Sequence, residues 1–260
     1  MYRLVPKDYG KIHNILEESF KTPTFAFAIA NHIIQGSIYI NDIVNPSSGF
    51  LRTASGIYHV FGKANDLVFN KDFYSYFIEK IYRKENRFTV FTPSTEWESF
   101  FDDVFKPYVQ KMRRSKYRFV SSAFHPKYKL SNSYNLKTFT PNTLRKSDNF
   151  NESYILEYWG TEDNFNKNGL GVCIMDRKNI VAECISIFHS GKTAEIDIIT
   201  NPNYRGKGLG TIVGQEFIKQ CLVKNVLPAW DCDINNESSK VLAHKLGFSN
   251  EEHYALYVLK

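Results

Sequence analysis

The segment Asn201-Pro202-Asn203-Tyr204-Arg205-Gly206-Lys207-Gly208-Leu209-Gly210 places three glycines within five residues and adds two cations. Glycines at 206, 208 and 210 leave no Cβ to keep a ligand away from the backbone N–H groups. A helix opening directly behind them would add unpaired first-turn N–H groups and the positive end of its dipole, a concavity that suits a pyrophosphate. Arg205 and Lys207 would supply compensating charge. Two other phosphate-binding patterns fail on spacing. A dinucleotide-binding G-x-G-x-x-G needs two residues before its third glycine, and there is one here. A P-loop needs Gly-Lys-Ser/Thr after four spacer residues, and that is absent. A glycine-rich turn that merely reverses the chain remains the other reading.

Just upstream, Ala194 to Thr200 (AEIDIIT) alternates in the manner of a strand. Glu195 and Asp197 then have the same parity, so both carboxylates leave by one face. On a cleft face they could accept or position a proton; on a solvent face they would do neither. The elements that would hold this chemistry are strands at Gly171–Met175, Ile180–His189 and Ala194–Thr200, forming an antiparallel meander. A helix at Thr211–Lys224, a strand at Leu227–Asp233, a helix at Asn236–Leu246 closed by Gly247, and a strand at Ala255–Leu259 follow. The order is β-β-β-loop-α-β-α-β.

The first half alternates as well. Helices are expected at Pro6–Ser19, Thr24–Gln35, Lys71–Arg83 and Thr95–Phe105, and strands at Ser37–Asp42, Phe50–Arg52, Ile57–Phe61, Phe88–Phe91 and Tyr117–Ser121. Proline, lysine and serine gather between Ala123 and Asn135, where hydrophobic periodicity is lost, so two domains are expected, 1–125 and 126–260. No internal repeat is visible in the sequence.

Composition narrows the class. Of 260 residues, 43% are hydrophobic and 23% charged, enough for a substantial core. The charge is +6, a mild excess that fits an anionic small ligand. From Lys106 to Lys129 there are eight Lys or Arg and no acid. This reads as a solvated helix face leading into a strand, with a landing strip for phosphate or an acidic partner as the alternative. The 21 Phe and 16 Tyr lie in no nucleic-acid recognition motif, so neither nucleic acid nor stacking on it is expected. Cys173, Cys184, Cys221 and Cys232 form no C-x-x-C pair and have apolar neighbours, which excludes a disulfide frame and a zinc site and points to a reducing compartment. No signal peptide or membrane-spanning run is found, so the cytoplasm is the expected location, with no metal and no membrane partner.

Arg205-Gly206-Lys207-Gly208-Leu209-Gly210 resembles the R/Q-x-x-G-x-G/A loop of the GNAT acetyltransferase superfamily. AEIDIITNP before it is similar to that family's fourth strand, and TIVGQEFIKQC after it to the third helix. Asn236-Glu237-Ser238-Ser239, with Lys245-Leu246-Gly247-Phe248, resembles the N-x-x-S/A helix ending in K-x-G-F. The match is densest over 140–260. The whole chain also resembles a bacterial subgroup with an extended N-terminal half, which includes proteins likened to antibiotic-resistance acetyltransferases.

The resemblance implies a C-terminal mixed, mostly antiparallel α/β sheet flanked by helices, and an N-terminal α/β domain that is either an acceptor-site wall or a degenerate copy of the same fold. It implies acetyl-CoA as cosubstrate. Backbone at Ile199 and Thr200 would meet the pantetheine arm, Arg205, Gly206, Lys207, Gly208, Leu209, Gly210 and Thr211 the pyrophosphate, and Asn236 and Ser239 the pantetheine or the departing thiol. Glu195 or Asp197 would be the general base. The family's usual acid, a Tyr four residues before the helix-closing glycine, is replaced by Ala243. Tyr254 or Tyr257 near the last strand could stand in, or simply pack in the core; Trp159 and Phe165 could line the acceptor cleft or do the same. The expected activity is acetyl transfer to a small-molecule primary amine by direct attack. The alternative is a CoA-binding or small-molecule-sensing module without turnover. Acceptor identity and oligomeric state are not encoded in any motif.

Overall fold

Each half of the chain runs through the same succession: strand, helices, three-strand meander, helix, strand, helix, strand. The structure is a computed structural model describing residues 1–260, and it divides into two units, Met1–Ser115 with Glu252–Lys260, and Lys116–Glu251. The first series comprises β1 (Tyr2–Arg3), α1 (His13–Glu17), α2 (Thr24–Ala30), β2 (Gly36–Ile40), β3 (Ser48–Thr53), β4 (Ile57–Gly62), α3 (Leu67–Tyr76), β5 (Thr89–Phe91), α4 (Thr95–Phe100) and β6 (Val109–Phe119). The second comprises β7 (Asn135–Thr138), α5 (Pro141–Leu144), α6 (Glu152–Trp159), α7 (Glu162–Asn168), β8 (Gly171–Asp176), β9 (Asn179–His189), β10 (Thr193–Thr200), α8 (Leu209–Val223), β11 (Leu227–Asp233), α9 (Glu237–Lys245) and β12 (Phe248–Leu259).

In the first unit the strands run β1-β2-β3-β4-β5-β12. Pairing is antiparallel from β1 to β4 and between β5 and β12, and parallel between β4 and β5, from Ile57↔Thr89 to His59↔Phe91. In the second unit β7-β8-β9-β10 are antiparallel and β10 is parallel to β11. Both units are therefore mixed, mostly antiparallel sheets flanked by helices. The first core is aromatic: Phe50, Phe69, Phe73, Phe77, Phe101 and Phe105 pack together with Trp97 and Tyr257. The second is mainly aliphatic, with Val172, Ile174, Val213, Ile218 and Leu246 against Phe217. The high aromatic content thus fills a core.

The expected boundary at 125/126 shifts. The units part at Ser115/Lys116, inside β6, and Glu252–Lys260 of the last strand belongs to the first unit because it pairs with β5. The basic stretch is not a helix face. Lys111, Arg113, Arg114, Lys116 and Arg118 lie along β6, where Lys111 bridges Asp102 at 2.6 Å and Glu98 at 3.2 Å, and Arg113 reaches Glu98 at 3.3 Å. The helix expected to reach Gln35 ends at Ala30, since His32 adopts a left-handed φ of 58°. Elements β7 and α5–α7 carried no readable period. The three helices are 4, 8 and 7 residues long, too short for a repeat, and start on the side-chain caps Thr140, Asn151 and Thr161.

Helix α3 starts on Asp66, whose carboxylate accepts from Phe69 N at 2.9 Å and from Asn41 Nδ2 at 2.9 Å. These bonds, the Phe69 amide first, hold the Asp66 carboxyl below its ordinary range. A depressed folded-state pKa gives stability that is present above the unfolded value and lost as pH falls through the folded one. Asp66→Ala should therefore cost about 1 kcal/mol at neutral pH, and the gap from wild type should close as pH drops below the carboxylate range; denaturant unfolding at several pH values measures both.

Candidate functional site

The glycine loop lies where β10 hands over to α8. Asn201 accepts from Asn203 N at 3.0 Å and starts the tight turn Pro202–Tyr204. The Tyr204 hydroxyl donates to Asp176 Oδ2 at 2.8 Å, pinning the turn to the β8–β9 hairpin, and the Lys207 ammonium sits 4.6 Å from the Tyr204 ring centre. Gly206 and Gly208 have φ of 77° and 76°, the left-handed region that favours glycine. A Cβ built on either would meet no protein atom within 4 Å, so the loop's backbone faces open space. Gly208 is the N-cap of α8 and offers no capping side chain. The first-turn N–H groups at Leu209, Gly210 and Thr211 are thus directed out of the helix without a partner in it. Leu209, 2% exposed, anchors the turn in the core. Arg205 and Lys207 are exposed, and no carboxylate pairs with either. A cradle of bare amides, a helix start and two cations without a carboxylate partner fits a pyrophosphate.

Beside it the sheet opens. The parallel register of β10 with β11 runs from Thr193↔Leu227 to Glu195↔Ala229, although β10 continues to Thr200 and β11 to Asp233. On its other edge β10 stays paired with β9 as far as Thr200↔Ala182, past a register shift at Glu195/Ile196. Backbone groups of Ile199 and Thr200 on the β11 side therefore border a wedge. Asn236 and Ser239 are partly committed elsewhere: Asn236 Oδ1 caps α9 by accepting from Ser239 N at 3.1 Å, and Ser239 Oγ accepts from Trp230 Nε1 at 3.1 Å.

Glu195, Asp197 and Ile199 share one face of β10, as their parity demands, and the register adds Ile185 and Glu183 of β9 to it. Helix α6 packs over this face. The Tyr154 hydroxyl donates to Asp197 Oδ2 at 2.7 Å. Burial, then the Asp197 charge, hold the Tyr154 phenol far above its usual range, with Glu195 contributing, so Tyr154 keeps its proton. Trp159 and Phe165 are buried, their rings 5.4 Å apart, and Trp159 Nε1 donates to Ser186 O at 3.2 Å; both are core.

Sequence reasoning missed Glu183. It is 2% exposed, with Oε2 accepting from Ser147 Oγ at 2.7 Å and Oε1 from Asn149 Nδ2 at 2.8 Å. Burial raises its carboxyl above the ordinary value. A lone carboxylate inside the apolar run VAECISIF was the signal. Glu183 is among the residues lining a cleft of about 940 Å³, with Lys146, Asn149, Lys178, Ile199, Thr200 and Arg205. The cleft therefore reaches Glu183 and Ile199 on that face and Arg205 at the start of the glycine loop.

The candidate acids are placed otherwise. Ala243 is fully buried in the second core. Tyr254 is 1% exposed and stacks on Phe91 at 5.9 Å within the first unit. The Tyr257 hydroxyl is spent on Glu98 O at 3.0 Å and Asp102 Oδ1 at 2.9 Å. The four cysteines are buried and unpaired. No group of three or more His, Cys, Asp or Glu is placed to hold a metal ion, and no helix is long and apolar enough to cross a membrane.

Comparison with known proteins bears on the family and the fold. The profile of the family described as GNAT acetyltransferase matches residues 14–257. A Bacillus subtilis protein named "Uncharacterized N-acetyltransferase YdfB" is 34% identical over 257 residues, covering 99% of this chain and 98% of its own. Among solved structures, a GCN5-related N-acetyltransferase-like protein from Streptococcus suis superposes with a TM-score of 0.73 at 19% identity, over 98% of this chain and 99% of the other. A tandem GNAT protein from the clavulanic acid biosynthesis pathway gives 0.69 at 8% identity, over 98% and 96%. At these identities the structures speak for the fold.

The Tyr154–Asp197 bond is a local, checkable feature. Tyr154→Phe removes the donor from a half-buried carboxylate, and hydrogen bonds to charged groups contribute about 1.5–3 kcal/mol. A loss of about 1.5 kcal/mol is expected at neutral pH in denaturant unfolding; an unchanged midpoint would mean that water replaces the phenol fully.

Proposed function

Because the chain belongs to the GNAT acetyltransferase family, we propose that it transfers an acetyl group from acetyl-CoA to a primary amine of a small molecule, by direct attack and without a covalent enzyme intermediate. The single observation behind this reading is the uncapped start of α8 at Gly208, beside the point where β10 and β11 part.

Arg205 to Thr211 would hold the pyrophosphate, and the backbone at Ile199 and Thr200 the pantetheine. When bound, acetyl-CoA supplies an acetyl group already activated as a thioester. The chain's own residues do the rest. N–H groups of β10 bordering the wedge are donors for the carbonyl oxygen as it gains charge. Glu195 takes the proton that an ammonium must lose before it can attack. Asp197 is the weaker candidate, because the Tyr154 hydroxyl already stabilises its ionised form. Buried thiols support the absence of a covalent step: burial pushes Cys173 up to about 11 and Cys221 up to about 12, so neither is a thiolate at neutral pH.

A second reading, CoA binding without turnover, has one observation in its favour: Ala243 occupies the position of the family's usual acid and faces the core. Amine-dependent release of CoA thiol separates the two, and turnover on any amine rules the second out.

Two substitutions test the assignment. Gly208→Val places a branched side chain in the open cradle and strains a φ of 76°, so acetyl-CoA affinity should fall at least about tenfold; unchanged affinity in a folded variant would move the cofactor elsewhere. With an accepted amine in hand, Glu195→Gln should lower turnover by about 10²–10⁴ and leave acetyl-CoA affinity intact. A loss of less than a fewfold would transfer the role to Asp197 or to water.

A further inference from the structure

Glu183 has an environment that the transfer chemistry does not require. A carboxylate 2% exposed is costly to ionise unless something compensates it. Two neutral donors, Ser147 and Asn149, do part of this, one on each oxygen. No lysine, arginine or histidine pairs with Glu183. Two acids, Asp148 and Asp197, reinforce the upward effect of burial on it. Yet this group borders a cleft of about 940 Å³ that leads to the glycine loop. A buried carboxyl without a counter-cation, on the lining of a cleft, is a ready partner for a cation that enters it.

We propose that Glu183 binds a second, non-reacting ammonium group of the acceptor, so that the acceptor is a diamine or polyamine. This rests on the acetyltransferase reading above and names the substrate class of the same site. The cations lining the cleft do not compete for the role. Lys146 and Lys178 are exposed on its border, and Arg205 belongs to the pyrophosphate cradle. Of the acids lining the cleft, Asp148 is exposed and Glu183 is the buried one. The sheet also sets a spacing. Glu183 stands opposite Ile199, two residues along β10 from Asp197 and four from Glu195. At about 3.3 Å per residue this separates the two ends of the site by roughly 7–13 Å. The acceptor's reacting and retained nitrogens should lie that far apart, which favours an extended molecule over a compact one.

The opposing view is that Glu183 only clamps the segment 146–149 to β9. Calorimetric titration of the full chain with spermidine and with n-butylamine, without acetyl-CoA, separates the two. Spermidine should bind wild type at least about tenfold more tightly than butylamine. Glu183→Gln keeps the side-chain shape and one of the two acceptor oxygens but removes the charge, and should weaken spermidine by about 10–100-fold, the range expected for a charged hydrogen bond, with little effect on butylamine. Equal affinity of wild type for the two amines overturns the proposal, and that comparison needs no variant. So does spermidine binding that ignores Glu183→Gln, or an equal loss for both amines, which would be the mark of a clamp. A parallel acetyl-CoA titration of wild type reports on the cofactor reading separately: its failure with spermidine still bound would sink the transferase and leave the cation site.

Discussion

The amides of Leu209, Gly210 and Thr211 open α8 with no carbonyl one turn earlier to receive them, and Gly208 in the capping position has no side chain to offer. A side-chain cap would contribute about 1 kcal/mol, so a bare start leaves stability unused and a ready anion site in its place. The surrounding contacts keep that start rigid. Leu209 is sunk in the core, Tyr204 is tied to Asp176, and Thr200 Oγ1 lies 3.0 Å from where a Cβ on Gly210 would sit. The parting of β10 from β11 then places an unpaired strand edge next to the amides. The open helix start and the wedge between strands are two consequences of one chain path.

The first unit supplies a control, because it has the same element order and the same single parallel step. Its third parallel pair is His59↔Phe91 where the second unit has Glu195↔Ala229. Its helix α3, corresponding to α8, starts on Asp66, whose own carboxylate occupies the anion position. The end of β4 is closed as well: Trp97 Nε1 donates to Gly62 O at 2.9 Å, and the buried indole lies where β4 runs out. His59 is fully buried with Nδ1 3.2 Å from Phe91 O. One architecture has thus been built twice, once with its helix start neutralised from within and once with it left open.

The carboxylate face depends on a different balance. Glu195, Asp197 and Glu183 would repel one another if they were merely crowded. Asp197 does push the Glu183 carboxyl up, and donors offset part of this, a phenol on Asp197 and a hydroxyl and an amide on Glu183. Low local dielectric makes every unmet charge there count more than it would in water. Helix α6 creates that setting through Tyr154 and Trp159, while the segment 146–149 closes its other side.

The loop, the meander before it, α8, β11, α9 and the shared face of Glu195 and Asp197 were legible in the sequence, since each rests on a local rule: glycine permits the left-handed turn, period two fixes a strand face, Asn236 and Gly247 mark helix ends. Gly247 does close α9, with φ of 87°. The sequence could not decide which groups those faces meet. The roles of Glu183 and Tyr154 came from segments 34–43 residues apart that touch only when residues 147–149 and α6 fold onto β9 and β10, and three short capped helices left no period to announce them. The same limit hid the doubling. Aromatic core residues in the first unit and aliphatic ones in the second fill equivalent space, so the repeat survives in backbone pairing and is erased from the letters. Side-chain identity is fixed locally by propensity and parity; who neutralises whom is fixed by long-range packing, and only the tertiary structure records it.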